Sequence, residues 1–288
     1  MKHKFPYKWN LSDGYPAKGI EHHGTTVMTT FACGGGSTMG YKLAGYNVVA
    51  ANDIDPQMAK VYKAKQILDD LFFDFIDLAE KMQPKIVIAE NVKGMLQGHA
   101  KWYTREVVRR FERLGYKCQV FLLNAATMGV PQKRERVFFI AHKIDETLKL
   151  RFTEEPIKFK DIYFPNFTDR KLQPKELALW NNKRPGERNL VNANIRLYNK
   201  NGYFKSGILK DNQTPPTVIA DDALVLDKEP RHLNKIEIGL IGTFPQDYEY
   251  KNIRPEYLIG MSVPPVMMAQ VADQVYNQLI AGTNHDGK

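Results

Sequence analysis

The sequence predicts an α/β fold, and three observations predict it. Short apolar runs rich in β-branched and aromatic residues recur along the first half of the chain, at 26–32, 47–51, 84–90, 117–124 and 137–141. Stretches with helical periodicity separate them. Glycine, asparagine and Asp-Pro punctuation falls where one type gives way to the other. Alternation of this kind favours a sheet with mostly parallel strands.

The elements follow in order. An irregular arm of some twenty residues precedes the first strand, which feeds the turn Gly34-Gly35-Gly36. A helix from Thr38 to Ala44 ends at Gly45, a natural residue after a helix C-terminus. The second strand ends at Asn52-Asp53, and Asp55-Pro56 caps the next helix. From Pro56 to Gln83 there is neither a strand signal nor a breaker. A helix of that length is far above the usual range. We therefore expect a segment of the natural protein, strand included, to be absent near Lys65-Gln66. Pro84–Glu90 is the next strand, Trp102–Leu114 a helix, and Lys117–Asn124 a further strand.

Residues 121–142 then turn through Gly129-Val130-Pro131 into the polar knot Gln132-Lys133-Arg134-Glu135-Arg136, before the apolar run Val137–Ala141. Arginines anchored beside a buried strand suit planar, bidentate recognition of phosphates or a base edge. On charge alone, the knot reads first as a solvated turn on a basic protein. From about 150 to 230 the periodicity fades. Aromatics such as Tyr163, Phe167, Trp180, Tyr203 and Phe204 mix there with Arg184, Arg188 and Lys205. That mixture suits either a nucleic-acid surface or a small irregular domain. A helix at about 266–280 closes the pattern.

The formal net charge of +9 over 288 residues points to a polyanionic partner. Two cysteines, Cys33 and Cys118, are too few for a disulfide framework and read as buried thiols in a reducing compartment. No apolar signal core or run of membrane-spanning length occurs, so no membrane role and a cytoplasmic location are expected. The histidines lack metal-ligand spacing, and no metal site is expected.

The glycine turn after a strand, with Asp53 ending the next strand, fits a nucleoside cofactor without choosing between NAD and S-adenosylmethionine. Glu90-Asn91 follows a strand at the end where α/β sheets bind ligands. Taken in order, FACGGGSTMGYKLAG, NDIDP, LFFDFI, PKIVIAENVKGML, GYKCQVFLLNAATMGVPQKRERVFFIA, RHLNKIEIGLIGTFP and IGMSVPP resemble the DNA cytosine-5 methyltransferase family of bacterial or phage type. The resemblance covers both ends of the chain, and ENVKG and GVPQKRER are its most specific pieces.

It implies a Rossmann-like domain that uses S-adenosyl-L-methionine, with a small target-recognition region inserted. The implied division is 1–160 for the first part of the cofactor domain, 161–230 for recognition, and 231–288 for the return. It implies cofactor contacts from Phe31, Gly34, Gly36, Asp53, Ile54, Leu71 and Ser262. Catalytic roles fall on Glu90, Arg134 and Arg136, with Asn91 and Gln132 lining the substrate pocket. The implied partner is double-stranded DNA, the implied state a monomer, and a cognate restriction endonuclease is a partner the family allows.

Two departures stand out. The family's nucleophilic cysteine, in a Pro-Cys loop, has no counterpart, and its place would be near Lys65-Gln66. Met261 replaces an asparagine usual in the segment around Ser262. A catalytically inactive binding homologue and a tRNA methyltransferase are the alternative readings.

Overall fold

The computed structural model describes residues 9, 11, 19–30, 33–52, 67–165, 170–220 and 223–281. The chain divides into two compact units. One comprises residues 51–124, 135–152 and 271–288, the other 1–50, 125–134 and 153–270.

The 51–124 unit is built on a three-stranded sheet. Its strands are β3 (Ile86–Val92), β4 (Lys117–Asn124) and β5 (Glu135–His142), with β5 in the centre. Helices α2 (Ile67–Met82) and α3 (Ala100–Arg113) belong to the same unit. On β5 the apolar residues do not alternate with polar ones. Phe138 and Ile140 are as deeply buried as Val137, Phe139 and Ala141, so both faces of the strand are covered. The odd-numbered residues pack with Val87 and Ala89 of β3, with Phe72, Ile76 and Ala79 of α2, and with Val107 and Phe111 of α3. Phe72 meets Phe139 edge-on, with ring centroids 5.3 Å apart.

Both pairings in this sheet are antiparallel, which corrects the expectation of mostly parallel strands. β3 and β4 do run the same way, joined by α3 as a crossover requires. The chain leaves the sheet at Ala125, returns at Glu135, and inserts β5 between them in the opposite sense. The strand after Pro84 also runs past Glu90 to Val92, so Glu90 and Asn91 sit within it rather than beyond it.

In the 1–50 unit, β1 (Thr26–Thr30) pairs with β2 (Asn47–Asn52), whose last two residues belong to the other unit. Helix α1 (Gly36–Leu43) lies between them in sequence. Gly45 takes φ +92°, the left-handed conformation that stops the helix. The unit's main core gathers Phe159 and Ile162 with Val218, Leu233, Ile238 and Ile241. Several of these come from α6 (Lys235–Ile241), and Leu258 and Ile259 add α7 (Pro255–Met261). Helix α8 runs Pro265–Val275 and continues as a π-helical turn, Tyr276–Ile280.

A smaller core sits in the irregular stretch. Leu179 of α4 (Pro174–Asn181), Leu190 and Ala193 of α5 (Val191–Tyr198), Ile208 of β6 (Ile208–Leu209) and Val225 of β7 (Val225–Leu226) make it. The two readings of the aromatics there divide by residue. Trp180 and Tyr203 pack on that core, whereas Phe204 is 64% exposed. No described helix is long and apolar enough to cross a membrane.

Candidate functional site

The pleat of β3 and β5 brings a carboxylate beside a guanidinium. Arg136 stands in register with Val92 on one side and Leu123 on the other, and Glu90 stands opposite Phe138. Residues two apart on a strand share a face, so Glu90 and Arg136 are diagonal neighbours on the even-numbered face. Arg136 Nε lies 2.8 Å from Glu90 Oε1, and the two side chains are only 14% and 23% exposed. Burial draws the Arg136 pKa below its usual value, while the Glu90 charge opposes that shift. Arg136 Nη1 also donates to the Glu135 carbonyl at 2.9 Å, which fixes the plane of the fork. A carboxylate and an oriented planar donor, side by side, match a ring that offers an amine and a carbonyl on one edge.

Asn91 does not join them. Strand alternation turns it to the opposite face, and its Oδ1 accepts the Val92 amide at 2.8 Å. Glu135 pairs instead with Lys93, at 2.8 Å and half exposed.

Arg134 and Gln132 belong to the other unit and are fully enclosed there, at 2% and 0% exposure. Arg134 Nη2 donates to the carbonyls of Gly260 (2.8 Å) and Ser262 (3.0 Å). Its Nη1 reaches the Val218 carbonyl at 3.3 Å and Gln132 Oε1 at 3.5 Å. Gln132 in turn accepts the Val218 amide and donates to the Ile241 carbonyl. The pair ties the Val218 segment to the C-terminal ends of α6 and α7 through their backbones. Four acceptors surround this buried charge, and charge-assisted hydrogen bonds to them offset its desolvation.

The glycine turn lies in the same unit. A side chain at Gly36 would place its Cβ 1.9 Å from the Val263 carbonyl, and one at Gly34 would meet Leu258 at 2.4 Å. Both glycines are required by the segment that packs on them. Ser262 fastens that segment, its Oγ accepting the Gly34 amide at 3.2 Å and donating to the Leu258 carbonyl at 2.7 Å. Gly35 differs: it is left-handed (φ +79°), and nothing lies within 4 Å of where a Cβ would be. It precedes α1, whose first turn receives no side-chain cap from it. Open backbone at an uncapped helix start can receive an anionic group.

Of the remaining expected cofactor residues, Phe31, Asp53 and Ile54 lie outside the described residues, as does the stretch around Lys65-Gln66. Leu71 falls within α2. Cys118 lies in β4, and burial, with Glu112 adding to it, pushes its thiol up to about 12. Such a thiol is not a thiolate near neutral pH. Among the described residues, no three His, Cys, Asp or Glu side chains could hold a metal ion.

One buried pair was not anticipated. Arg231 grips Glu237 through Nη1–Oε2 (2.8 Å) and Nη2–Oε1 (2.9 Å) at the start of α6. The Asn234-x-x-Glu237 capping box that orients Glu237 is visible in the sequence, but its arginine partner is not. In the irregular stretch, Arg184, Arg188, Asn189, Asn192 and Phe204 line an open groove of about 660 Å³.

The family model described as C-5 cytosine-specific DNA methylase matches residues 65–277. The type II methyltransferase M.FnuDI of Fusobacterium nucleatum is 28% identical over 41% of this chain, and that match spans about half (47%) of its own length. The type II methyltransferase M1.HphI of Haemophilus parahaemolyticus is 24% identical over 92% of this chain and 72% of its own. The crystal structure of the S. pombe Dnmt2 methyltransferase superposes with a TM-score of 0.62 at 13% identity, covering 88% of this chain and 99% of that one.

Proposed function

We propose that this chain, which belongs to the C-5 cytosine-specific DNA methylase family, transfers a methyl group from S-adenosyl-L-methionine to carbon 5 of a cytosine flipped out of a specific DNA sequence. Its fold is the Rossmann-like fold of S-adenosylmethionine-dependent methyltransferases. The observation that carries the substrate reading is the Glu90–Arg136 pair at 2.8 Å. In this reading one oxygen of Glu90 accepts the exocyclic amine of cytosine. The other, when protonated, donates to ring nitrogen 3, and Arg136 donates to the ring carbonyl. Charge that develops on the ring during attack at carbon 6 is met by donors already in position. Extrusion of the base costs a few kcal/mol, offset by these contacts.

S-Adenosylmethionine supplies the electrophilic methyl group when bound. The open backbone of Gly35 before α1 fits the carboxylate end of that cofactor. Gly34, Gly36 and Ser262 then act indirectly, by holding the covering segment close to the turn. Phe31, Asp53, Ile54 and Leu71 complete the cofactor site in this proposal. In this proposal Arg134 and Gln132 position rather than react, since both Nη groups of Arg134 and the side-chain amide of Gln132 bond to backbone groups and to each other. The 161–230 region, with its groove carrying Arg184 and Arg188 beside Glu187 and its exposed Phe204, is the proposed reader of the duplex, and the enzyme is taken to act as a monomer.

Attack at carbon 6 requires a thiolate, and Cys118, half-buried within β4 with its thiol pushed up to about 12, is a poor source of one. The deciding experiment is to read the native coding sequence across Lys65-Gln66 and to assay tritiated methyl transfer to DNA and to tRNA. A Pro-Cys loop with transfer to DNA is the expected result. A coding sequence colinear with this chain and no transfer would make it a binding homologue, and transfer to tRNA alone would reassign the substrate.

A further inference from the structure

Helix α3 carries on its outer face a charge pattern that its own stability does not call for. Val107 and Phe111 are wholly buried, with Tyr103, Val108 and Leu114 packing on the same core. On the opposite side Lys101, Arg105, Arg109 and Arg113 recur at every fourth residue, and Trp102 stands among them 64% exposed. Like charges spaced i,i+4 disfavour a helix. Lys101 also lies in the first turn, which holds no acidic residue, where a cation opposes the helix dipole.

The helix has five cations against two acids, and one acid is already engaged. Glu106 takes Arg110 and Arg113, each at 3.5 Å, and Arg110 stacks on the Phe73 ring at 3.8 Å. Among the described residues, the side chains of Lys101, Arg105 and Arg109 have no hydrogen bond or ion pair. The stripe spans roughly 18 Å, since four residues rise about 6 Å. Each strand of a duplex offers a phosphate about every 3.4 Å along the axis.

We infer that this face of α3 is a second, sequence-independent docking surface for the sugar–phosphate backbone of duplex DNA. Lys101, Arg105 and Arg109 are its phosphate contacts, and Trp102 packs against the sugars between them. The inference rests on the reading above that the substrate is duplex DNA. Unpartnered cations on long side chains position a polyanion but do not select bases, so the surface adds affinity without adding specificity.

The test is binding of the full chain to a 30-base-pair duplex of arbitrary sequence, across 50–200 mM KCl, by fluorescence anisotropy. Each phosphate contact contributes about 0.9 to the slope of log K against log salt. The triple variant K101Q/R105Q/R109Q should flatten the slope by up to about 2.7, equally on every sequence tried. The charge-conserving R105K/R109K variant should keep the wild-type slope, which separates lost charge from lost folding. A triple variant with the wild-type slope overturns the inference and leaves the substrate reading intact. Loss of binding to anionic lipid vesicles with the DNA slope unchanged would reassign the face to a membrane surface. No DNA binding by the wild-type chain at any salt would overturn both.

Discussion

Replacing Arg134 with alanine should destabilise the 1–50 unit before it affects any chemistry. The guanidinium supports the Gly260 and Ser262 carbonyls at 2.8 and 3.0 Å, and Val218 and Gln132 at 3.3 and 3.5 Å. The two short bonds come from a charged donor, each contributing about 1.5–3 kcal/mol. The two longer ones add little. Removing the side chain leaves buried acceptors without partners and a cavity around them, so the cost should be about 3–5 kcal/mol. For a chain of this size that lowers the melting temperature by on the order of 10 °C. R134K keeps the charge but has one nitrogen for four acceptors, and should recover only part of the loss. Urea unfolding, with the exposed R113A as control, measures it. Arg113 is 68% exposed, and its loss should cost less than about 0.5 kcal/mol. A change at Arg134 below about 1 kcal/mol, with the m-value unaltered, would show that the guanidinium does not hold these carbonyls.

Three further outcomes are expected. E90Q, nearly isosteric, should cut methyl transfer by about 100-fold or more in single-turnover assays of the protein carrying the cysteine loop, and should also lower the melting temperature because Arg136 keeps a largely buried charge without its carboxylate; wild-type rates in the folded variant would remove Glu90 from the reaction. His142 is buried, its Nδ1 donates to the Ile144 carbonyl at 2.9 Å, and burial, aided by Lys117 and opposed by that hydrogen bond, lowers its pKa. Its folded pKa is therefore below the unfolded value of about 6.5, so its contribution is complete above that pH and declines as pH falls below it. H142Q should flatten the acid limb of a stability–pH curve, and an identical limb would count against it. Cys118, with its thiol pushed up to about 12, should resist alkylation at pH 7.5 in the folded chain and react on denaturation; rapid native labelling would contradict its burial.

Element positions were legible in the sequence where local chemistry sets them. The strand expected over 117–124 has those bounds in the structure, and Gly45 stops α1 because only glycine enters the left-handed region freely. Neighbours across the sheet were not legible. Periodicity tells which face a strand buries but not which strand lies beside it, so the insertion of β5 between β3 and β4 had no local signature. The same limit explains Asn91. Adjacent to Glu90 in sequence, it was grouped with it, yet the period of two that brings Glu90 to Arg136 turns Asn91 away.

Gly34 and Gly36 were expected to make room for a ligand, whereas the crowding atoms belong to residues more than 220 positions later. Arg134 and Arg136 look equivalent in Gln-Lys-Arg-Glu-Arg. Only tertiary structure makes one a clamp among carbonyls and the other the partner of a carboxylate.

Ser262 joins two of these features through a single residue. Its carbonyl is held by Arg134, and its hydroxyl holds the amide of Gly34 beside the open turn. A ligand at that turn that strengthens the Ser262 contact is itself bound more tightly while Arg134 holds Ser262, because linkage is reciprocal. On the proposed function, S-adenosylmethionine would then stabilise this fold as well as supply the methyl group, and withdrawing it would lower the stability of the chain.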